Sequence, residues 1–230
     1  MLQDKQYDET VMKLRREKDF LAYLKLLKEV APKFTIFITV ADTGAGPYYT
    51  PQHAAAMADL GLKINMLNRY RAPYIAIINK GKVIQELTSD KIDEPIIIGG
   101  KISYHDCETY SAGFNYQVGI GSGAFVRFDG TNFSVGGRGF NFLVFDVEQD
   151  EVVDTRGFDT FEDAKCFGGD KDYNKQKILS FVHKWGGYSF LRSSRRDFRL
   201  NVTEICRIGK SSFGNKNLSK RTLSKVARLR

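Results

Sequence analysis

The chain has 230 residues, of which 42% are hydrophobic and 27% charged, enough for one sizeable globular core. No apolar run reaches the ~20 residues that span a bilayer, and Asp4, Asp8, Glu9 and Glu17 dilute any export-signal pattern at the start. The net charge of +8 is matched by the eight cations beyond Glu204 (Arg207 to Arg230, with no acid among them), so the body is close to neutral.

From Glu9 to Val30, Val11, Leu14, Leu21, Leu24 and Leu27 recur at helical spacing with Phe20 beside them, and Pro32 stops the helix. Phe34 to Val40 reads as a strand rich in β-branched and aromatic residues. After the Asp42-Thr43-Gly44 turn, Thr50 is the expected N-cap, Pro51 the first helical residue and Gly61 the stop of a short helix over 51–60. Strands are predicted at Tyr74–Ile78 and Lys82–Leu87 across an Asn79-Lys80-Gly81 turn, then at Ile96–Ile98, Lys101–Cys107, Ala124–Phe128 and Asn132–Val135. A glycine-rich connection runs from Gly113 to Gly123, and Asp129-Gly130 marks a hairpin. Phe140–Val147 is apolar almost throughout, as for a central strand buried on both faces, and Val152–Thr155 is expected to pair with it. A last helix is predicted over Asp172–Trp185, with Ile178, Leu179, Val182 and Trp185 on one face, and a last strand at Tyr188–Leu191. Strands and helices do not alternate strictly. The fold class is therefore α+β, with twisted, mainly antiparallel sheets and about three helices. The division is an N-terminal helix over 1–33, a domain over 34–192 and a basic, poorly ordered tail over 193–230.

Three widely spaced cysteines, Cys107, Cys166 and Cys206, form neither a disulfide framework nor a Cys-x-x-Cys zinc pair, and His53, His105 and His183 are equally scattered. No metal or cofactor is expected. Gly119-x-Gly121-x-Gly123 lacks the strand–helix frame of a dinucleotide fingerprint. Val40-Ala41-Asp42-Thr43-Gly44-Ala45, with Ile96-Ile97-Ile98-Gly99, resembles an aspartic-protease half-site, in which paired carboxylates share a proton. A helix in place of the flap hairpin argues against it. The tail can meet an anionic surface by non-specific attraction but lacks the aromatics of a single-strand binder, so no specific nucleic-acid partner is expected.

Arg69-Tyr70-Arg71-Ala72-Pro73-Tyr74 sets cations and aromatics before a strand, and Arg138 stands on a glycine-flanked turn. Guanidinium forks donate paired hydrogen bonds to neighbouring hydroxyls, a carboxylate accepts from them, and tyrosines supply an apolar wall for a sugar ring. The expected pocket gathers Asp42, Arg71 and Arg138, with Tyr48, Tyr74 and Asp159 around them.

Gly137-Arg138-Gly139-Phe140-Asn141, Val152-Val153-Asp154-Thr155, Phe158-Asp159-Thr160, Asp42-Thr43-Gly44 with Leu60-Gly61, and Arg71-Ala72-Pro73-Tyr74 together resemble the interleukin-like EMT inducer (ILEI, or PANDER-like) domain. The resemblance runs from about Phe20 to Phe161. Such domains occur in secreted cytokine-like proteins, in the stem of a protein O-mannose N-acetylglucosaminyltransferase and in bacterial surface-polysaccharide proteins. The order of the motif blocks is permuted here, which is similar to the bacterial form, and the paired cysteines of the secreted proteins are missing. The family is not known as a catalyst. Its stem-domain member is a lectin for terminal β-linked N-acetylglucosamine, with roles that fall on Arg138, Asp42 and Arg71. The resemblance thus implies a non-catalytic carbohydrate-binding module linked to polysaccharide or glycoconjugate biosynthesis. A glycan is the implied ligand and a glycosyltransferase the implied partner. The alternatives are a protein-interaction or regulatory domain docked through the basic tail and, more remotely, a protease using Asp42. The expected location is cytoplasmic, with peripheral membrane contact through the tail.

Overall fold

The structure is a computed structural model that describes residues 2–91, 94–113 and 123–168, with side chains from residue 9 onward. The helix expected over 172–185, the strand at 188–191, the basic tail, Cys206 and most of the glycine-rich connection lie outside the described residues.

Two helices, α1 (Leu2–Arg16) and α2 (Phe20–Val30), replace the single one expected over 9–30. Asp19 breaks the run. Its backbone is extended, and its carboxylate accepts the Ala22 amide at 2.8 Å, capping α2 at a point where an uncapped helix leaves orphan donors. Helix α3 spans Pro51–Asp59, with Thr50 as N-cap and the Thr50 amide donating to His53 Nδ1 at 3.2 Å. All three helices end up on one side of the sheet.

The strands are β1 (Thr35–Ala41), β2 (Tyr74–Asn79), β3 (Lys82–Thr88), β4 (Ile96–Ile102), β5 (His105–Ala112), β6 (Gly123–Phe128), β7 (Thr131–Asn132), β8 (Gly139–Asp146), β9 (Glu151–Phe158) and β10 (Cys166–Gly168). Two strand predictions need correcting. The predicted strand Lys101–Cys107 is split by a turn at Ser103-Tyr104, and the segment at 132–135 contributes only Asn132 to β7. Pairing is antiparallel except for one parallel bridge, Ala41 with Ala112. That bridge divides the sheet into two leaves. The first runs β3-β2-β1-β8-β9-β10, with β1 and β8 in register from Thr35–Phe145 to Ala41–Gly139. The second holds β4, β5, β6 and β7.

Alternation along β1 explains the three layers. Ile36, Ile38 and Val40 face the helices and join Phe20, Leu24, Leu27, Met57, Phe140, Phe142 and Phe158 in one core. Phe37 points the other way, with Ile75, Ile77, Leu143 and Phe145, onto Ile96, Ile98, Val126 and Phe128 of the second leaf. Phe20 is the hub of the helix side, with ring centroids 4.7 Å from Phe158, 5.6 Å from Phe140 and 5.8 Å from Phe142. The coarse α+β class, with three helices among the described residues and a curled, mostly antiparallel sheet, is as expected.

α1 is fastened by a buried polar group. The fully buried Arg156 donates to the carbonyls of Leu14 (3.3 Å) and Arg15 in the last turn of the helix, where intrahelical donors run out. It lies 3.7 Å from Asp154, whose other oxygen accepts the Tyr23 hydroxyl at 2.9 Å. Burial pushes Asp154 up, although Arg156 and Tyr23 both oppose the rise.

Candidate functional site

The C-terminal end of β1 meets the start of β8 and the end of β9, and three turns leave from that rim. The first follows Ala41. Asp42 adopts a left-handed backbone (φ 61°), and its amide donates to Ala112 O at 3.2 Å, continuing the parallel bridge. Ser111 holds the junction, with its hydroxyl accepting the Tyr74 amide (2.9 Å) and donating to Val40 O (2.6 Å). Thr43 binds the neighbouring turns. Its Oγ1 accepts the Arg71 amide (3.3 Å), and its carbonyl accepts the Thr160 hydroxyl (3.1 Å).

The second turn carries Arg138. Asn141 folds back on it, accepting the Gly137 amide at 3.0 Å and donating to Gly137 O at 2.7 Å and Gly139 O at 3.2 Å. Gly139 is left-handed (φ +92°), and a Cβ there would stand 2.1 Å from Phe158 O. This explains the Arg-Gly-Phe-Asn order: glycine allows the close approach and asparagine pins the turn. The third turn follows Phe158. Asp159 Oδ1 accepts the Phe161 (2.9 Å) and Glu162 (3.2 Å) amides.

These turns bring Asp42, Arg71, Arg138 and Asp159 to one rim, but as two ion pairs, whereas sequence reasoning expected one pocket around Asp42, Arg71 and Arg138. Arg71 Nε lies 3.4 Å from Asp42 Oδ1. Arg138 donates from Nε to both oxygens of Asp159 (3.0 Å each) and from Nη2 to Asp159 Oδ2 (2.7 Å) and Glu162 Oε2 (2.9 Å). Nη1 of Arg138 makes no hydrogen bond among the described residues. Burial alone would raise Asp159. The hydrogen bonds from Arg138 and from the two amides outweigh it and hold the carboxyl below the usual range. Asp159 in turn raises Arg138, so this pair stays charged.

Aromatic rings flank both arginines. Arg71 lies 5.2 Å from the Tyr70 ring centre and Arg138 5.0 Å from that of Phe161, and both rings are about half exposed. Tyr48 is also exposed, and its hydroxyl donates to Asp163 at 3.0 Å, which raises the phenol. Tyr74 is a correction. Its ring is fully buried on the helix side of β2 and its hydroxyl donates to Glu86 at 2.9 Å, so it offers no wall to a ligand. Phe161 and Glu162 were not singled out from sequence. They follow Phe158-Asp159-Thr160 directly, and an exposed aromatic beside a turn carboxylate was the available signal.

Within the chain Asp42 faces the Arg71 guanidinium and not a second carboxylate. No group of three or more His, Cys, Asp or Glu side chains among the described residues is arranged to hold a metal ion, and no helix among them is long and apolar enough to cross a membrane. Cys107 is buried and its thiol is pushed up to about 12 by desolvation. No family model, curated protein or solved structure matches the chain.

Proposed function

We propose that this chain is a non-catalytic carbohydrate-binding module serving polysaccharide or glycoconjugate assembly. The observation that supports the reading is that the turns at this end of the sheet carry two guanidinium–carboxylate pairs, Arg71 with Asp42 and Arg138 with Asp159, each arginine with an exposed aromatic ring beside it. Paired donors and acceptors next to an apolar face suit a sugar, whose hydroxyls need directional bonds and whose C–H face needs a ring. Both arginines retain exposure, 26% for Arg71 and 32% for Arg138. Asp42 Oδ1 is buried, so a ligand hydroxyl is accepted by Oδ2. Arg138 Nη1 donates to a ring hydroxyl or an acetamido oxygen, and Tyr70 or Phe161 stacks. A further argument is backbone strain. Asp42 and Arg71 (φ 55°) are both non-glycine residues in the left-handed region, a conformation that clusters at ligand-binding sites. The preferred ligand class, a terminal N-acetylhexosamine, rests on the ILEI-like motif set.

One sugar unit buries few atoms, so the expected affinity is about millimolar, or ~4 kcal/mol. A glycan array probed with the full chain tests the reading. Arg138→Ala and Asp42→Ala are expected to lose glycan retention at unchanged secondary structure, and unaltered retention in both overturns it. Deleting the residues after Glu204 separates the tail-docked alternative, because sugar retention then survives while salt-sensitive association disappears.

A further inference from the structure

At the opposite end of the sheet, one imidazole joins three hairpin tips. His105 opens β5 immediately after the β4–β5 turn. Its Nδ1 lies 2.5 Å from Asp129 Oδ2, in the turn between β6 and β7. Its Nε2 lies 2.7 Å from Asp150 Oδ1, in the turn between β8 and β9. The Tyr104 hydroxyl donates to the other oxygen of Asp150, and the Asp106 amide donates to the other oxygen of Asp129 at 2.9 Å. The ring packs between Phe128 (6.0 Å) and Phe145 (6.3 Å), at the mouth of the core between the two leaves.

Both ring nitrogens face carboxylates, and a carboxylate can only accept. The two bonds exist together only in the imidazolium, because a neutral ring has one N–H and turns a lone pair on the second carboxylate. We propose that His105 is a pH-operated latch that closes this end of the two leaves when charged and releases one of the two turns when neutral. Nearby charges do not substitute for it. Asp106 is held by Lys101 at 3.3 Å, and Glu148 by Lys80 at 3.0 Å. Asp146 accepts the Glu148 and Gln149 amides of its own turn, and the Tyr104 phenol is kept neutral by burial and by Asp150. Loss of the proton thus leaves two aspartates facing each other across a neutral ring.

The direction of titration agrees. Burial disfavours the charged ring, but the bonds to Asp150 and Asp129 outweigh it and raise His105 above its ordinary value. A group raised on folding adds stability that is complete below its unfolded value, about 6.5, and is lost as pH rises through the folded value. The latch therefore holds in mildly acid solution and opens as pH rises through the raised folded value. It lies seven strand residues from the sugar-binding rim along β5, roughly 23 Å at ~3.3 Å per residue, so it can fail or hold independently of that proposal.

The test is an NMR titration of the His105 ring in the full chain, with Asp129→Asn and Asp150→Asn beside it. Both aspartates have left-handed backbones (φ 49° and 56°), which asparagine tolerates, so these variants change charge without straining the turns. A ring titrating above free histidine, and lowered in each variant, is the expected result. The melting-temperature advantage of wild type over His105→Gln should also shrink steadily from pH 6 to pH 9. A ring that titrates at or below free histidine, or is unmoved in both variants, overturns the latch.

Discussion

Asp159→Asn removes one charge from the rim and little else. The amide keeps an oxygen for the Phe161 and Glu162 N–H groups but turns an NH2 toward Arg138, whose Nε and Nη2 both donate to the present carboxylate. Bonds to charged groups contribute about 1.5–3 kcal/mol each. Arg138 is a third exposed, and solvent screens such a pair, so the expected net loss is about 2 kcal/mol. For a domain of this size that lowers Tm by about 4–8 °C at pH 7. Because folding depresses the Asp159 pKa, its contribution is present above the unfolded value, about 3.9, and is lost as pH falls through the folded one. Thermal melts of wild type and variant should differ at pH 7 and draw together as pH falls below about 3.9. The guanidinium, left with the exposed Glu162 alone, should also lose its aim, and glycan retention should fall about tenfold, equivalent to ~1.4 kcal/mol. Equal melts at pH 7, or a gap that persists undiminished at pH 2, would refute the electrostatic account of this turn.

Phe20→Ala empties the centre of the helix-side aromatic cluster and should cost about 3–5 kcal/mol, read as a lower urea midpoint. A loss below ~1 kcal/mol would mean that α2 does not pack as described. Gly46→Ala places a Cβ 2.0 Å from the Thr160 carbonyl, so the 43–48 turn must shift. Retention of glycan should drop while circular dichroism stays native, and a fully active variant would show that this turn does not shape the rim.

Most strand positions were legible because β-branched and aromatic runs are bounded by recognisable turns, and β1, β2, β3 and β8 fall within a residue or so of expectation; the pairings of β1 with β2 and β8 were not. The helix break was readable too, since Asp19 directly precedes the apolar Phe20 run, but continuous spacing through Leu14 and Leu21 masked it. The Ser103-Tyr104 turn was not legible. It contains no glycine, and Ser103 takes a left-handed backbone (φ 56°) that its residue type does not announce. Tyr74 was misjudged because β2 is buried on both faces, so alternation gives no outward side. The pairing of Arg138 with Asp159 instead of Asp42 depends on how two turns 21 residues apart close on each other, which no local pattern encodes.

β1 is buried along its whole length, yet its central neighbour β8 lies about a hundred residues later in the chain. During synthesis at ~5–20 residues per second, that apolar ribbon waits roughly 5–20 s before the ribosome supplies Gly139–Asp146 to cover it. In the meantime β2 can shield one border, and β5 reaches β1 only at Ala41. Newborn chains are thus at their most vulnerable to wrong associations in this interval, and chaperone demand should peak before the last third of the protein emerges.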